Sequence, residues 1–283
     1  MSNENDMHNC ADGLVADAHC HILDEKLSPR REEIVQGLRA SGIEFVVEVG
    51  TGIEESLDVW EFAKVHEFVY SSLGVHPHTA NEYVQEVPGG GTYGEGFENW
   101  MRTIMGSSES SAKVVALGEC GLDYYHDLSP RDVQAVVFIR QIKLSHELGL
   151  PLVVHSREAF DDTFRILLSH REFLQNGVLI HCFGYGADEL RRFSESLDAY
   201  FSFGGAVTYK NATKLQEALR ACPLDKILLE TDAPYLAPGD LRGKVNEPKN
   251  VRLVAEFVAR ELGLTFGEVA RITLANTRRF YRL

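Results

Sequence analysis

The chain has 283 residues, 44% of them apolar and 25% charged, and a formal net charge of −14. The length suits a single α/β barrel, and no apolar run approaches the roughly 20 residues of a membrane span. The acid excess argues against broad docking on a nucleic-acid backbone, which needs many Lys and Arg, yet allows a local site where bound divalent cations reverse the sign.

Residues 1–12 are polar, with no basic stretch followed by an apolar one, so they read as a flexible tail rather than a secretory signal. Residues 13–283 read as one domain. The five cysteines are odd in number and show no paired spacing, which fits a reducing cytoplasm. Leu14–Ala18 reads as the first strand. Asp17, His19 and His21 follow at alternating positions, and because strand side chains alternate faces the three leave its C-terminal end together. Imidazole is the commonest metal ligand near neutral pH, so the His-x-His pair suggests half of a metal site.

Further along, Arg30–Ala40 is amphipathic, Gly42–Gly50 reads as a strand, Ile53–Val65 as a helix and Phe68–Leu73 as the third strand. Lys113–Glu119, Leu150–His155, Val178–His181, Tyr200–Phe203 and Lys226–Glu230 supply strands four to eight. Helical patterns lie between them, clearest at Pro130–Leu148 and Glu158–Ser169. Short apolar runs alternating with helices indicate a parallel sheet buried on both faces, and eight of them predict a (β/α)8 TIM barrel. Pro248–Leu262 and Thr265–Phe280 read as extra C-terminal helices. The glycine-rich stretch Pro88–Gly96 reads as a flexible surface insertion. Cys20, Cys120 and Cys182 each neighbour a candidate ligand and are expected to face the helix layer as buried thiols.

In such barrels the active site sits at the C-terminal strand ends. Those ends offer His19 and His21, then His76 and His78, Glu119 and Asp123, His155 and Arg157, His181, and finally Glu230 and Asp232. Buried carboxylates and imidazoles are costly unless paired or metal-bound, so their gathering at one end predicts a functional centre. His78 alone reads equally well as a cap of the turn after Pro77. His8, His66, His126, His146 and His170 lie outside the pattern and read as ordinary solvent-facing histidines. Four histidines with carboxylates exceed a single catalytic site of three protein ligands and a water. The surplus favours two metals about 4 Å apart with a bridging carboxylate, for which Glu119 is the candidate. The donor set suits Zn, Mn or Fe and leaves room for Mg.

The motifs DAHCH, GVHPH, GECGLDYY, HSREAFDDT, IHCFGYG, YFSFGGAVTYK, LLETDAPYLAP and RGKVNEP, in this order, resemble those of the TatD family of metal-dependent deoxyribonucleases, within the amidohydrolase-like barrels. The resemblance runs from Val15 to about Phe280. It implies that His19, His21 and Asp232 hold one metal and His155 and His181 a second, with Glu119 shared. It also implies that His76 and Arg157 meet the scissile phosphate or a further metal, and that Glu230 serves a third metal or supports the ligands. Asp232 and Glu119 are then the catalytic carboxylates, and His76, Arg157 and Lys244 the substrate-binding residues. The implied cofactors are two divalent ions (Mg, Mn or Zn), with a third allowed. The implied substrate is single-stranded DNA, with RNA as an extension, cut from the 3′ end, and no obligate protein partner is indicated. Val245 stands where the family often carries a basic residue, leaving Arg242 and Lys244 as the cations of that loop. Tyr124, Tyr125 and Phe183 are candidates for base stacking. A second reading is an ester, amide or aminoacyl-tRNA deacylase on the same binuclear site, because fold does not decide function. A third is a non-enzymatic metal-binding protein.

Overall fold

A computed structural model describes residues 13–283; the N-terminal segment read above as a tail lies outside them. Eight strands follow one another around the sheet in sequence order, every adjacent pair parallel: β1 Val15–Cys20, β2 Ile43–Val49, β3 Val69–Leu73, β4 Val114–Asp123, β5 Leu152–Arg157, β6 Val178–Ile180, β7 Tyr200–Phe203 and β8 Ile227–Leu229. This is the (β/α)8 barrel the spacing predicts. Between the strands run α1 Arg31–Gly37, α2 Ile53–Val65, α3 Ala80–Tyr83, α4 Tyr93–Met105, α5 Ser108–Ser111, α6 Arg131–Glu147, α7 Phe160–Ser169, α8 Ala187–Leu197 and α9 Thr213–Ala221. Two further helices, α10 Val251–Leu262 and α11 Phe266–Tyr281, complete the chain as expected. No helix among the described residues is long and apolar enough to cross a membrane.

The apolar strand residues sort into two cores, by plain alternation in most strands and with register shifts in β1 and β4. Val15, Val46, Leu117, Val154, Ile180 and Leu229 face the helices in the larger one. Ala16, Ala18, Phe45, Val47, Val115, Val153, Leu179 and Leu228 fill the barrel interior, joined by Phe280 and Tyr281 of α11. α11 therefore closes the N-terminal opening of the barrel. Its start is fixed by a reciprocal cap, Thr265 accepting from the Glu268 amide while Glu268 accepts from that of Thr265. Its end is tied to β1 by the Tyr281 hydroxyl, which donates to the Ala18 carbonyl at 2.8 Å.

Two boundaries differ from expectation. β4 runs on to Asp123 instead of ending at Glu119. Glycines at 118 and 121 make this possible, with φ of 133° and 141°. A Cβ there would lie 2.4 Å from the Val153 carbonyl oxygen and 2.0 Å from that of His155, so only glycine lets β4 lie this close to β5. The glycine-rich stretch is shorter than the sequence suggests. Thr92 and Glu95 form a capping box, so α4 already begins at Tyr93.

Candidate metal centre

The barrel seam between β8 and β1 runs through the site. The Asp232 amide donates to the His19 carbonyl (3.0 Å) and the His21 amide to the Ala233 carbonyl (2.7 Å). Asp17 is fully buried beneath them and accepts from both the amide and the hydroxyl of Thr231. Burial pushes the Asp17 carboxyl well up, against the pull of the Thr231 bonds. Asp17 thus ties the seam together rather than joining the cluster. On the neighbouring strand Glu48 is also fully buried and accepts from the amides of Ile22 (2.7 Å) and Leu23 (2.8 Å), fixing the turn after His21. Sequence reasoning passed over Glu48, although an acid inside EFVVEVG was a signal.

His19, His21 and Asp232 converge. The two Nε2 atoms are 3.3 Å apart, and Asp232 Oδ1 lies 3.9 Å from that of His19 and 3.4 Å from that of His21. Glu119 Oε2 completes the set at 3.3 and 3.9 Å from the same nitrogens. An ion bonded at about 2.0–2.2 Å in a tetrahedral site keeps its ligand atoms about 3.3–3.6 Å apart, so this spacing fits one ion. The other oxygen of Glu119 faces a second group. Oε1 is 2.8 Å from His155 Nδ1 and 2.6 Å from His181 Nε2, those nitrogens are 3.4 Å apart, and His76 Nε2 is 3.4 Å away. One carboxylate therefore divides its oxygens between two sets of imidazoles, the arrangement a bridging ligand needs.

The metal-free charges are those of donors held together without an ion. Burial would push Glu119 up, but His181, His76 and His155 outweigh it and hold it well below the carboxylate range. Burial likewise opposes the His21 charge, but Asp232 and Glu119 push its pKa up to about 10. For Asp232 burial is outweighed by His21 and then His19, and its carboxyl is lowered. His76 goes the other way: burial outweighs Glu119 and lowers it to about 3.

Beneath the two groups lies Glu230, fully buried. The rings of His19 and His181 stack at 4.0 Å between centroids. The Nδ1 atoms of both, and Glu230 Oε1, are buried without a hydrogen-bond partner, and one donor atom from each of the three residues lies within 4.8 Å of the others. Glu230 Oε2 is held by the Ser202 hydroxyl at 2.5 Å. A metal-bound histidine usually presents its other nitrogen to a carboxylate, and these orphaned atoms are placed for that. They are the observation that fits the pocket to metal ions.

Asp123 is a hub. Its Oδ1 accepts from the amides of Tyr125 and His126, while Oδ2 faces His78 Nε2 (2.9 Å), His155 Nε2 (3.1 Å) and His126 Nδ1 (3.2 Å). His78 therefore joins the site through Asp123. His126 stands on the site wall, not apart from it as the sequence pattern implied. His146 also departs from expectation, with a buried Nδ1 and its ring against Phe173. His8 lies outside the described residues. Cys20 and Cys120 belong to the helix-facing core as expected. Cys182 does not follow them: a φ of 44° breaks the alternation, and burial together with the nearby Glu230 carboxylate pushes its thiol well up.

The cluster forms the floor of a cavity of about 600 Å³, lined also by Thr51, Glu55, Arg157 and Tyr235. Arg157 lies 4.2 Å over the Tyr125 ring, and Tyr125 is 56% exposed. Tyr124 is engaged elsewhere, its hydroxyl donating to Asp162. Phe183 is buried against Phe201 and Phe203 and is not available for stacking. Lys244 is exposed and is not among the cavity-lining side chains. The aromatic that sequence reasoning missed is Tyr235, half-exposed at the rim, whose hydroxyl donates to Asp24 at 2.7 Å.

A (β/α)8 barrel whose strand ends gather histidines around one carboxylate is the frame of a metal-dependent hydrolase, and its relatives carry that description. More narrowly, residues 16–282 match the model of the TatD related DNases, and the chain belongs to that family. It is 36% identical over 270 residues to a metal-dependent hydrolase of Bacillus subtilis called YabD, covering 95% of this chain and all of the relative. It is 30% identical over 268 residues, 93% and 96% of the two chains, to a protein of Rahnella named 3′–5′ ssDNA/RNA exonuclease TatD. Among solved structures, the TatD homologue YjjV of Escherichia coli superposes with a TM-score of 0.84 at 26% identity, covering 95% and 98% of the two chains.

Proposed function

We propose that the protein hydrolyses phosphodiester bonds in single-stranded DNA from the 3′ end, with RNA as a further substrate, using two divalent ions, Mg, Mn or Zn. The observation that carries this is Glu119, divided between two imidazole sets on the floor of a cavity whose wall bears Arg157. The name of the Rahnella relative supports the substrate and direction. In this reading His19, His21 and Asp232 would hold one ion and His155 and His181 the other, with Glu119 between the two sets. When bound, such a pair supplies Lewis acidity and lowers the pKa of water.

The chain's own residues do the rest. Asp232, beside His21 at the seam, takes the proton of the attacking water. Arg157, held over Tyr125, meets the charge that grows on the phosphate oxygens. Buried His76 stays neutral and points Nε2 at Glu119, where it places the scissile group. Tyr125 offers an exposed face to an unpaired base, worth about 1–3 kcal/mol of stacking. With so acidic a chain, affinity comes from the pocket, so a free unpaired end is preferred over a duplex interior. The unpaired cysteines Cys20, Cys120, Cys182 and Cys222 support a cytoplasmic location.

The test is purified protein with labelled single-stranded DNA, RNA, 3′-overhang, blunt and closed circular duplex at equal salt, in Mg, Mn and Zn, with products sized. Mononucleotides leaving the 3′ end of the single strand fastest is the expected result. A closed circle cut equally well would defeat the end-dependent reading. Turnover confined to a panel of carboxylic esters or amides would replace it with a deacylase.

A further inference from the structure

We propose that Asp123, His78 and His126 form a third divalent-cation site on the cavity wall, separate from the pair at Glu119. Three observations lead there. Donor atoms of the three residues lie within 4.8 Å of one another. His78 and Asp123 line the cavity together with His126, so the site opens to substrate on one side.

The third observation is a count of lone pairs. Asp123 Oδ1 is occupied by two backbone amides, those of Tyr125 (2.9 Å) and His126 (2.8 Å). Its Oδ2 meets three imidazole nitrogens, at 2.9, 3.1 and 3.2 Å. A carboxylate oxygen has two lone pairs, so as a set of hydrogen bonds the cluster has one donor too many. A cation resolves the excess. One lone pair of Oδ2 keeps the His155 N–H, the other binds the ion, and His78 Nε2 and His126 Nδ1 turn lone pairs toward that ion instead of protons. Two imidazoles, one carboxylate and an open face make the donor set of a three-ligand zinc site, and the softness of the set favours Zn over Mg.

The site also has a use, which rests on the phosphodiester reading. A cation beside Arg157 turns one wall of the cavity positive in a chain of net charge −14, and so offers a second anionic group of the substrate a contact. Because His155 is bonded both to Asp123 and to Glu119, the wall ion and the floor pair share one imidazole as spacer.

The experiment is a metal count. Chelator-stripped protein is titrated with Zn²⁺, bound metal is measured after gel filtration, and the ions are located by anomalous diffraction. Wild type should hold three ions per chain, one of them bonded to Asp123 Oδ2. His126→Ala, at an exposed position, and His78→Ala should each hold two, with the floor pair in place. Saturation of wild type at two ions would overturn the proposal. So would three ions retained in both variants, or variants that lose the floor pair, since the cluster would then only brace it. The count needs no substrate, so it can fail while the nuclease assay succeeds, and the reverse.

Discussion

The two halves of the barrel interior are made by the same eight strands and have opposite chemistry. Toward the N-terminal ends the interior is Ala16, Val47, Val115, Val153, Leu179 and Leu228, sealed by Phe280 and Tyr281. Toward the C-terminal ends it is His19, Glu119, His181 and Glu230, all nearly inaccessible and several with unpartnered atoms. One half supplies burial energy. The other leaves polar groups without partners, which only the first half's packing allows. Substitutions should therefore separate cleanly into those that cost rate and those that cost stability.

Asp232→Asn should break the upper half hardest. An amide neither takes a proton from water nor balances an ion's charge, so the rate should fall by about 10²–10⁴ with the circular dichroism spectrum and melting temperature little changed. A near-wild-type rate would remove Asp232 from the chemistry. Leu179→Ala is the counterpart below. It empties a fully buried interior position and should cost about 2–5 kcal/mol of unfolding free energy, read by denaturant titration. Metal content and turnover at low temperature should be unchanged, and a loss of both would mean the halves are mechanically coupled.

The division was only partly visible in the sequence. The strand-end histidines stood out because an apolar run ending in HCH, or VVH before SR, has no packing reason to end so, but strict alternation would not set His19 on the same face as Ala16 and Ala18; the register shifts of β1 do that. Asp123 as a hub was hidden because the reading ended β4 at Glu119; it needs the close approach of β4 to β5 that Gly118 and Gly121 permit. His126 was misplaced for the same cause, since its role depends on the turn that Asp123 itself folds. Cys182 defied the alternation because its backbone leaves the strand region altogether. Such long-range or backbone-dependent contacts leave no periodic trace.

Arg157→Lys sharpens the view of the upper rim. It keeps the charge but loses the planar fork and its stack on Tyr125. A reduction of about 10- to 150-fold in kcat/KM is expected, matching the roughly 1.5–3 kcal/mol of a charged hydrogen bond, with metal content intact. An unchanged constant would place the phosphate elsewhere.

The smallest effect per step concerns protons. Burial opposes the His21 charge, Asp232 and Glu119 outweigh it, and the metal-free pKa rises to about 10. Below that pH an entering ion must expel the proton. Apparent metal affinity should then climb with pH, about tenfold per unit for each proton expelled, or roughly 1.4 kcal/mol, and level off only near pH 10. A plateau already near pH 7 would show that His21 is not held protonated. Titrations in buffers of different ionisation heat count the protons directly.

The seam bonds have a consequence in time. Asp17 and Thr231, which draw the two ends of the barrel together, are 214 positions apart, and Tyr281 reaches back 263 positions to Ala18. A ribosome adding about 5–20 residues per second makes His19 early and Asp232 more than ten seconds later. During that interval the cluster around Glu119 is incomplete, since Asp232 joins His19 and His21 only once β8 has been made. The bond that seats α11 beneath β1 forms later still, because Tyr281 is made after every one of those side chains.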